Sequence, residues 1–284
     1  MLTKLLETIR PLDENAMESA RLHWDAIAKP LHSLGRLEDM IVQLAGICEN
    51  PVPAPRKKAV LIFCADNGIV AEGVTQTTQD VTAAVTQNFA KGIASVNALS
   101  RICGTEVFPV DIGVAQALDC PGVLNRKVAF GTQNFAHGPA MRRDEAEQAV
   151  CTGIDLVQEK AAEGYNLIVT GEMGIGNTTT SSAVFSVLQG LPPEQVTGRG
   201  AGLSDAGLQH KIQVISRAVA ALQPDPGDVL DVLSKVGGFD VCGMMGAFLG
   251  GAICRVPVLV DGFISAVAAN CAVRLCPACR DYIF

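Results

Sequence analysis

At 284 residues the chain is long enough to bury a large core, and 49% apolar residues with a mean hydropathy of +0.30 fit buried parallel strands. A net charge of −7 argues against a binder of nucleic-acid backbone, and 5% aromatic residues are too few to stack single-stranded bases. Any phosphate the protein holds therefore needs a local cradle rather than a basic face.

The first ten residues carry charges inside their apolar pattern, so they do not read as a signal peptide. Residues 1–50 read as helical. Leu2, Leu5, Leu6 and Ile9 share one helix face, and helices are predicted over 16–28 and 37–48. Pro30 and Gly35 punctuate the connection between the last two. Asn50-Pro-Val-Pro-Ala-Pro55 then reads as a linker, which makes residues 1–50 a small helical domain and 56–284 the main domain.

Beyond residue 56 the period changes. Four apolar runs, 59–64, 106–110, 167–169 and 256–260, have the length of buried strands. Each is followed by a carboxylate: Asp66, Asp111, Glu172 and Asp261. In a parallel sheet these ends share one edge, where ligands bind, although any of the four also suits a helix cap. Helical patterns fall between the runs, at 82–99, 143–163, 178–188, 208–222 and 241–254; the last has glycines four residues apart and suits close helix packing. The alternation predicts an α/β protein with a doubly wound, mostly parallel, Rossmann-like sheet. Arg255, Pro257 and Asp261 break the apolar region 241–273, so it does not read as a membrane span, and a cytoplasmic protein is expected. The ten scattered cysteines read as free thiols; Cys276 and Cys279 have CxxC spacing but lack a full set of metal partners.

The most informative stretch is Asn166 to Ser182. A short strand runs into Gly171, Gly174 and Gly176, and a helix start follows at Asn177, Thr178 and Thr179. Unpaired N–H groups and the positive end of a helix dipole then face one point, which suits a phosphate. No lysine follows the glycines as in a Walker loop, and the spacing differs from the dinucleotide fingerprint. Glu172 lies inside this cradle, and a site for phosphate alone has no use for it. A second glycine turn, containing Gly200 and Gly202, precedes a helix carrying Lys211, which is either solvated or the other wall of the phosphate site. The polar stretch Glu72–Asp80, with Thr75 and Gln79, either caps a helix or lines a pocket for a heterocycle. His137 lies in a loop with no identifiable partner.

Several motifs occur together and in order: Ala65-Asp-Asn-Gly-Ile-Val-Ala-Glu-Gly-Val74, Gly131-Thr-Gln-Asn-Phe135, Gly171-Glu-Met-Gly-Ile-Gly-Asn-Thr-Thr179, Gly198-Arg-Gly-Ala-Gly202, Asp205-Ala-Gly-Leu-Gln-His-Lys211, Val236-Gly-Gly-Phe-Asp240 and Val258-Leu-Val-Asp-Gly-Phe-Ile264. The set resembles the nicotinate-nucleotide–dimethylbenzimidazole phosphoribosyltransferase family of cobalamin lower-ligand assembly. The resemblance implies a Rossmann-like domain, a homodimer, and no metal or cofactor. It implies transfer of phosphoribosyl from nicotinate mononucleotide to a benzimidazole-type base, with inversion at the anomeric carbon. On that reading Gly174, Gly176, Asn177, Thr178 and Thr179, with Gly200, Gly202 and Lys211, hold the phosphate and ribose. Thr75, Gln79 and Met173 line the pocket for the incoming base. The family's general-base glutamate lies in a Gly-Glu-Gly motif beyond the position of Phe284, so Glu172 is expected as a ribose contact or a substitute base. Ala84 stands where many members have glutamine, which leaves the accepted base open.

Overall fold

The structure, a computed structural model, describes residues 2–284. Five strands pair in parallel: β1 (Lys58–Ala65), β2 (Thr105–Gly113), β3 (Leu124–Asn125), β4 (Leu167–Met173) and β5 (Val258–Leu259). Their spatial order is β3-β2-β1-β4-β5. From β1 the chain winds outward to β2 and β3, then returns to place β4 on the other side of β1. The carboxyl ends of β1 and β4 therefore flank the point where winding reverses, the usual place for a ligand crevice in such a sheet. Phe63 pairs with Glu172 and Cys64 with Met173, so the two strands end level.

Among the described residues, ten helices of eight or more residues flank this sheet and its N-terminal extension: α1 (Glu14–Ala26), α2 (Arg36–Cys48), α3 (Asp80–Ala90), α4 (Ser95–Cys103), α5 (Arg143–Ala162), α6 (Asn177–Gln189), α7 (Asp205–Leu222), α8 (Val229–Val236), α9 (Phe239–Cys254) and α10 (Gly262–Leu275). Strand alternation divides the core in two. Leu61 and Phe63 of β1 join the large cluster containing Ile154 of α5, Val184 of α6 and Phe248 of α9. Val60, Ile62 and Cys64 face the opposite way, toward Ala83 of α3 and Val114.

Helix α9 is buried from Phe239 through Ala252. Its glycines answer the spacing read from the sequence. A Cβ on Gly246 would lie 2.0 Å from the Val150 carbonyl oxygen of α5, and one on Gly153 of α5 would lie 2.1 Å from that of Gly243. The two backbones touch, and even an alanine at either position would push them apart. Among the described residues no helix is long and apolar enough to cross a membrane.

Several predicted boundaries shift. The third and second runs extend past their punctuation, so Glu172 and Met173 belong to β4, and Asp111 to Gly113 belong to β2. The fourth shrinks to two residues. Strand β3, also two residues, is too short to leave a periodic signal. The helix predicted over 82–99 is two helices, α3 and α4, because Gly92 takes φ +73° between them and turns the chain. Helices α8 and α10 were not anticipated; α10 buries Ile264, Val267, Ala268 and Cys271, and so many buried positions hide its period.

At the N-terminus α1 and α2 share a small cluster of Ala20, Val42 and Ala45. They are tied to the main body through Arg255, whose guanidinium donates to the carbonyls of Pro11 (3.0 Å), Gly46 (2.6 Å) and Ile47 (3.0 Å). All ten cysteines are free thiols, and Cys279 is buried with its Sγ 3.3 Å from the Phe248 carbonyl.

Candidate active site

The turn from β4 into the start of α6, Gly174 to Thr178, forms one wall of a small cleft, and Val74 to Thr77 with the turn Arg199 to Leu203 form the other. Gly176 makes the strand-to-helix turn at φ +94°, a conformation that favours glycine, and a Cβ there would lie 2.8 Å from Val70 Cγ2. The Asn177 N–H is taken by the Gly174 carbonyl (3.0 Å) and the Thr179 N–H by that of Gly176 (2.9 Å). The N–H groups of Gly176 and Thr178 make no hydrogen bond among the described residues, nor do those of Gly200 and Ala201 across the cleft. Four backbone donors thus border one enclosed space, on the two walls.

Lys211 comes to the same place from α7. Its side chain is fully buried, and its Nζ donates to Thr178 Oγ1 at 2.8 Å and to the Gly198 carbonyl at 3.2 Å. No carboxylate pairs with it among the described residues. Burial without an anion pushes its pKa down to about 8. Gly200 takes φ +57°, and a Cβ there would meet Thr178 Oγ1 at 2.9 Å and Lys211 Nζ at 3.6 Å, so only glycine leaves this approach open. Gly202 shapes the rim, where its carbonyl accepts from Gln76 Nε2 and ties together the two segments of that wall.

The carboxylates divide by task. Asp66 accepts from the Ala115 N–H at 2.7 Å, and Asp111 is ion-paired with Lys127 at 2.9 Å, so these two shape the sheet edge. Glu172 instead meets Asn177, whose Nδ2 donates to Glu172 Oε2 and, at 3.0 Å, to Asp240 Oδ2. Burial raises the Glu172 pKa, opposed by the Asn177 hydrogen bond and reinforced by the charge of Asp261. Asp240 is fully buried, and burial, then the neighbouring Glu172, pushes it up to about 7. Asp261 occupies the N-cap position of α10 without using its side chain as a cap.

The structure thus brings Gly174, Gly176, Asn177, Thr178, Gly200, Lys211 and Thr75 to one cleft. Thr179 stands apart, with its side chain buried and its Oγ1 without a partner behind the first turn of α6. Asn177 spends its amide on the two carboxylates. Met173 alternates away from Glu172 and packs with the opposite cluster of Val60, Ile62 and Cys64. Gln79 lies at the end of β1, donating to the Asn67 carbonyl at 3.2 Å, and Ala84 is exposed on α3. His137 is exposed and 3.1 Å from Glu72. Sequence reasoning gave no role to Asp240 or Asn67. The paired glycines before Asp240 were the available signal, because a Cβ on Gly238 would lie 2.5 Å from both Asn67 Oδ1 and Asp240 Oδ1.

Comparison with known proteins places the chain in a family. A family model described as phosphoribosyltransferase matches residues 9–284. A nicotinate-nucleotide–dimethylbenzimidazole phosphoribosyltransferase of Acetivibrio thermocellus is 51% identical over 284 residues, which is 100% of this chain and 81% of the relative. One from Ruminiclostridium cellulolyticum is 50% identical over 278 residues, covering 98% of this chain and 79% of that protein. The crystal structure of CobT from Thermus thermophilus superimposes with a TM-score of 0.90 at 40% identity, over 95% of this chain and 81% of that one. The chain belongs to the nicotinate-nucleotide–dimethylbenzimidazole phosphoribosyltransferase family.

Proposed function

We propose that the protein transfers phosphoribosyl from nicotinate mononucleotide to a benzimidazole-type base, giving the α-riboside 5′-phosphate and nicotinate for the lower ligand of a cobalamin. The observation that carries this reading is Lys211, a buried cation with no anion of its own, set beside the free N–H groups of Gly176, Thr178, Gly200 and Ala201. A phosphate dianion completes that arrangement, and its bonds do not react, so it serves as a handle that fixes the ribose. Loss of nicotinate removes the pyridinium charge from the ring and places cationic character on the anomeric carbon. We assign Glu172 to that carbon, where its charge stabilises the oxocarbenium-like state. The same carboxylate is the candidate to take the proton that the attacking imidazole must lose, a step typically worth ~10²–10⁴-fold. Thr75, Gln79 and the flank of Met173 are assigned to the incoming heterocycle, at the switch point between β1 and β4.

The protein is further proposed to act in the cytoplasm as a homodimer. Supporting the dimer, Ile93, Leu99 and Ile102 leave 68%, 65% and 83% of their surface exposed on and beside α4. Incubation with nicotinate mononucleotide and 5,6-dimethylbenzimidazole, with nicotinate followed by chromatography, tests the reaction. Release that requires both substrates supports it; tight nucleotide binding without release contradicts it.

A further inference from the structure

The least accessible carboxylate beside the cleft is Asp240, in the first turn of α9. Its Oδ2 and Glu172 Oε2 both accept from Asn177 Nδ2, whose two hydrogens bridge the two acids. The charged and titratable groups around this pair do not compensate it. Lys211, on α7, is bonded to Thr178 and Gly198; Asp261, at the start of α10, adds negative charge near Glu172; Asp66, at the end of β1, holds the Ala115 N–H; and Cys242, further along α9, is a buried thiol. Two anions so close and so poorly hydrated do not both ionise, so the pair keeps a proton.

The surroundings indicate which acid holds it. Asn67 Oδ1 is buried without any donor. Asp240 Oδ1 is nearby, each atom standing 2.5 Å from the point a Gly238 Cβ would occupy, and it accepts from the Val241 N–H at 3.0 Å. A proton on Asp240 keeps this buried, donor-poor corner neutral, whereas an ionised Asp240 would add a charge near the unpaired Asn67 oxygen. Glu172 retains partial exposure where Asp240 has none, and so keeps its charge at lower cost. We propose that Asp240 is a positioning residue that carries the shared proton and leaves Glu172 as the single anion presented to the ribose. The ribose contact rests on the function proposed above; the proton assignment does not.

The test pairs Asp240→Leu with Asp240→Asn. Asparagine keeps the size of Asp240 and removes its charge, and its oxygen can still accept from Asn177. Asp240→Leu is expected to lose turnover by at least about tenfold with nucleotide affinity largely kept, and Asp240→Asn to restore it at about pH 6. Without substrate, denaturation midpoints read the proton directly. A carboxyl whose folded pKa is raised contributes full stability below its unfolded value, about 4, and loses it as pH rises through the folded value. The wild type is therefore expected to fall relative to Asp240→Asn between about pH 4 and pH 7, and then to run parallel. A parallel course throughout, or an Asp240→Asn variant as inactive as Asp240→Leu, overturns the proposal. Should the wild type itself lack turnover, the midpoints still decide the proton assignment, and only the ribose role falls.

Discussion

Lys127 and Lys211 both reach the carboxyl side of the sheet with their side chains largely buried, but their surroundings differ. Lys127 Nζ lies 2.9 Å from Asp111 Oδ2, donates to the carbonyls of Val114 and Gln116, and sits 4.7 Å from the centre of the Phe130 ring. Every direction around it is occupied, and its charge is cancelled. Lys211 is buried more completely yet has one hydroxyl and one carbonyl for company. A buried charge left unpaired costs stability that packing alone does not return, so its retention points to an anion that arrives from outside. On the proposed function, the two lysines separate what holds the sheet edge together from what receives the substrate.

The largest effect expected from breaking this contrast belongs to the structural lysine. Lys127→Met strands Asp111 as an uncompensated buried charge and should cost about 3–5 kcal/mol of stability, read as a lowered denaturation midpoint. Turnover per folded molecule should change little. Next comes Glu172→Gln, which keeps the size of the side chain and removes its charge. Turnover should fall by about 10²–10³-fold while nicotinate mononucleotide still binds, as seen by calorimetry beside a nicotinate-release assay. Equal activity in that variant would end the role given to Glu172.

A smaller, graded effect is expected with pH. Lys211 is cationic below about 8 and loses its proton above. A phosphate monoester is a dianion above about 6. Nucleotide affinity should therefore be greatest between these values and fall as pH rises past 8. The empty protein should respond in the opposite sense. A lysine whose folded pKa is depressed costs stability below that value, and the cost is relieved as pH rises from 8 toward its unfolded pKa. Opposite slopes for ligand affinity and for apo stability would sharpen the assignment to Lys211; matching slopes would move it elsewhere.

The parts of this arrangement that lie close together in the chain were legible in the sequence. Strand, glycines and helix start follow one another from Leu167 to Thr179, and a buried run ending on glycine has few alternatives. The carboxylates at the strand ends were also visible, but not their partners: Asp111 pairs with Lys127, Asp66 accepts from the Ala115 N–H, and Glu172 shares Asn177 with Asp240, which only packing decides. Met173 could have been placed from alternation alone, because consecutive strand residues face opposite ways. Asp240 could not, since the docking of α9 between α5 and the sheet brings it to Glu172 across 68 positions of sequence. The break at Gly92 was hidden for a different reason, as one glycine inside an apolar helical pattern is usually tolerated.

The central claim is that Lys211 is held buried for an anion, and calorimetric titration of nicotinate mononucleotide into the wild type and Lys211→Met tests it most directly, with denaturation midpoints measured on the same samples. Loss of a charge-assisted contact worth about 1.5–3 kcal/mol predicts roughly 10- to 150-fold weaker binding in the variant, with stability unchanged or improved. Unchanged affinity, or a variant that binds normally but unfolds as readily as Lys127→Met, would contradict the account.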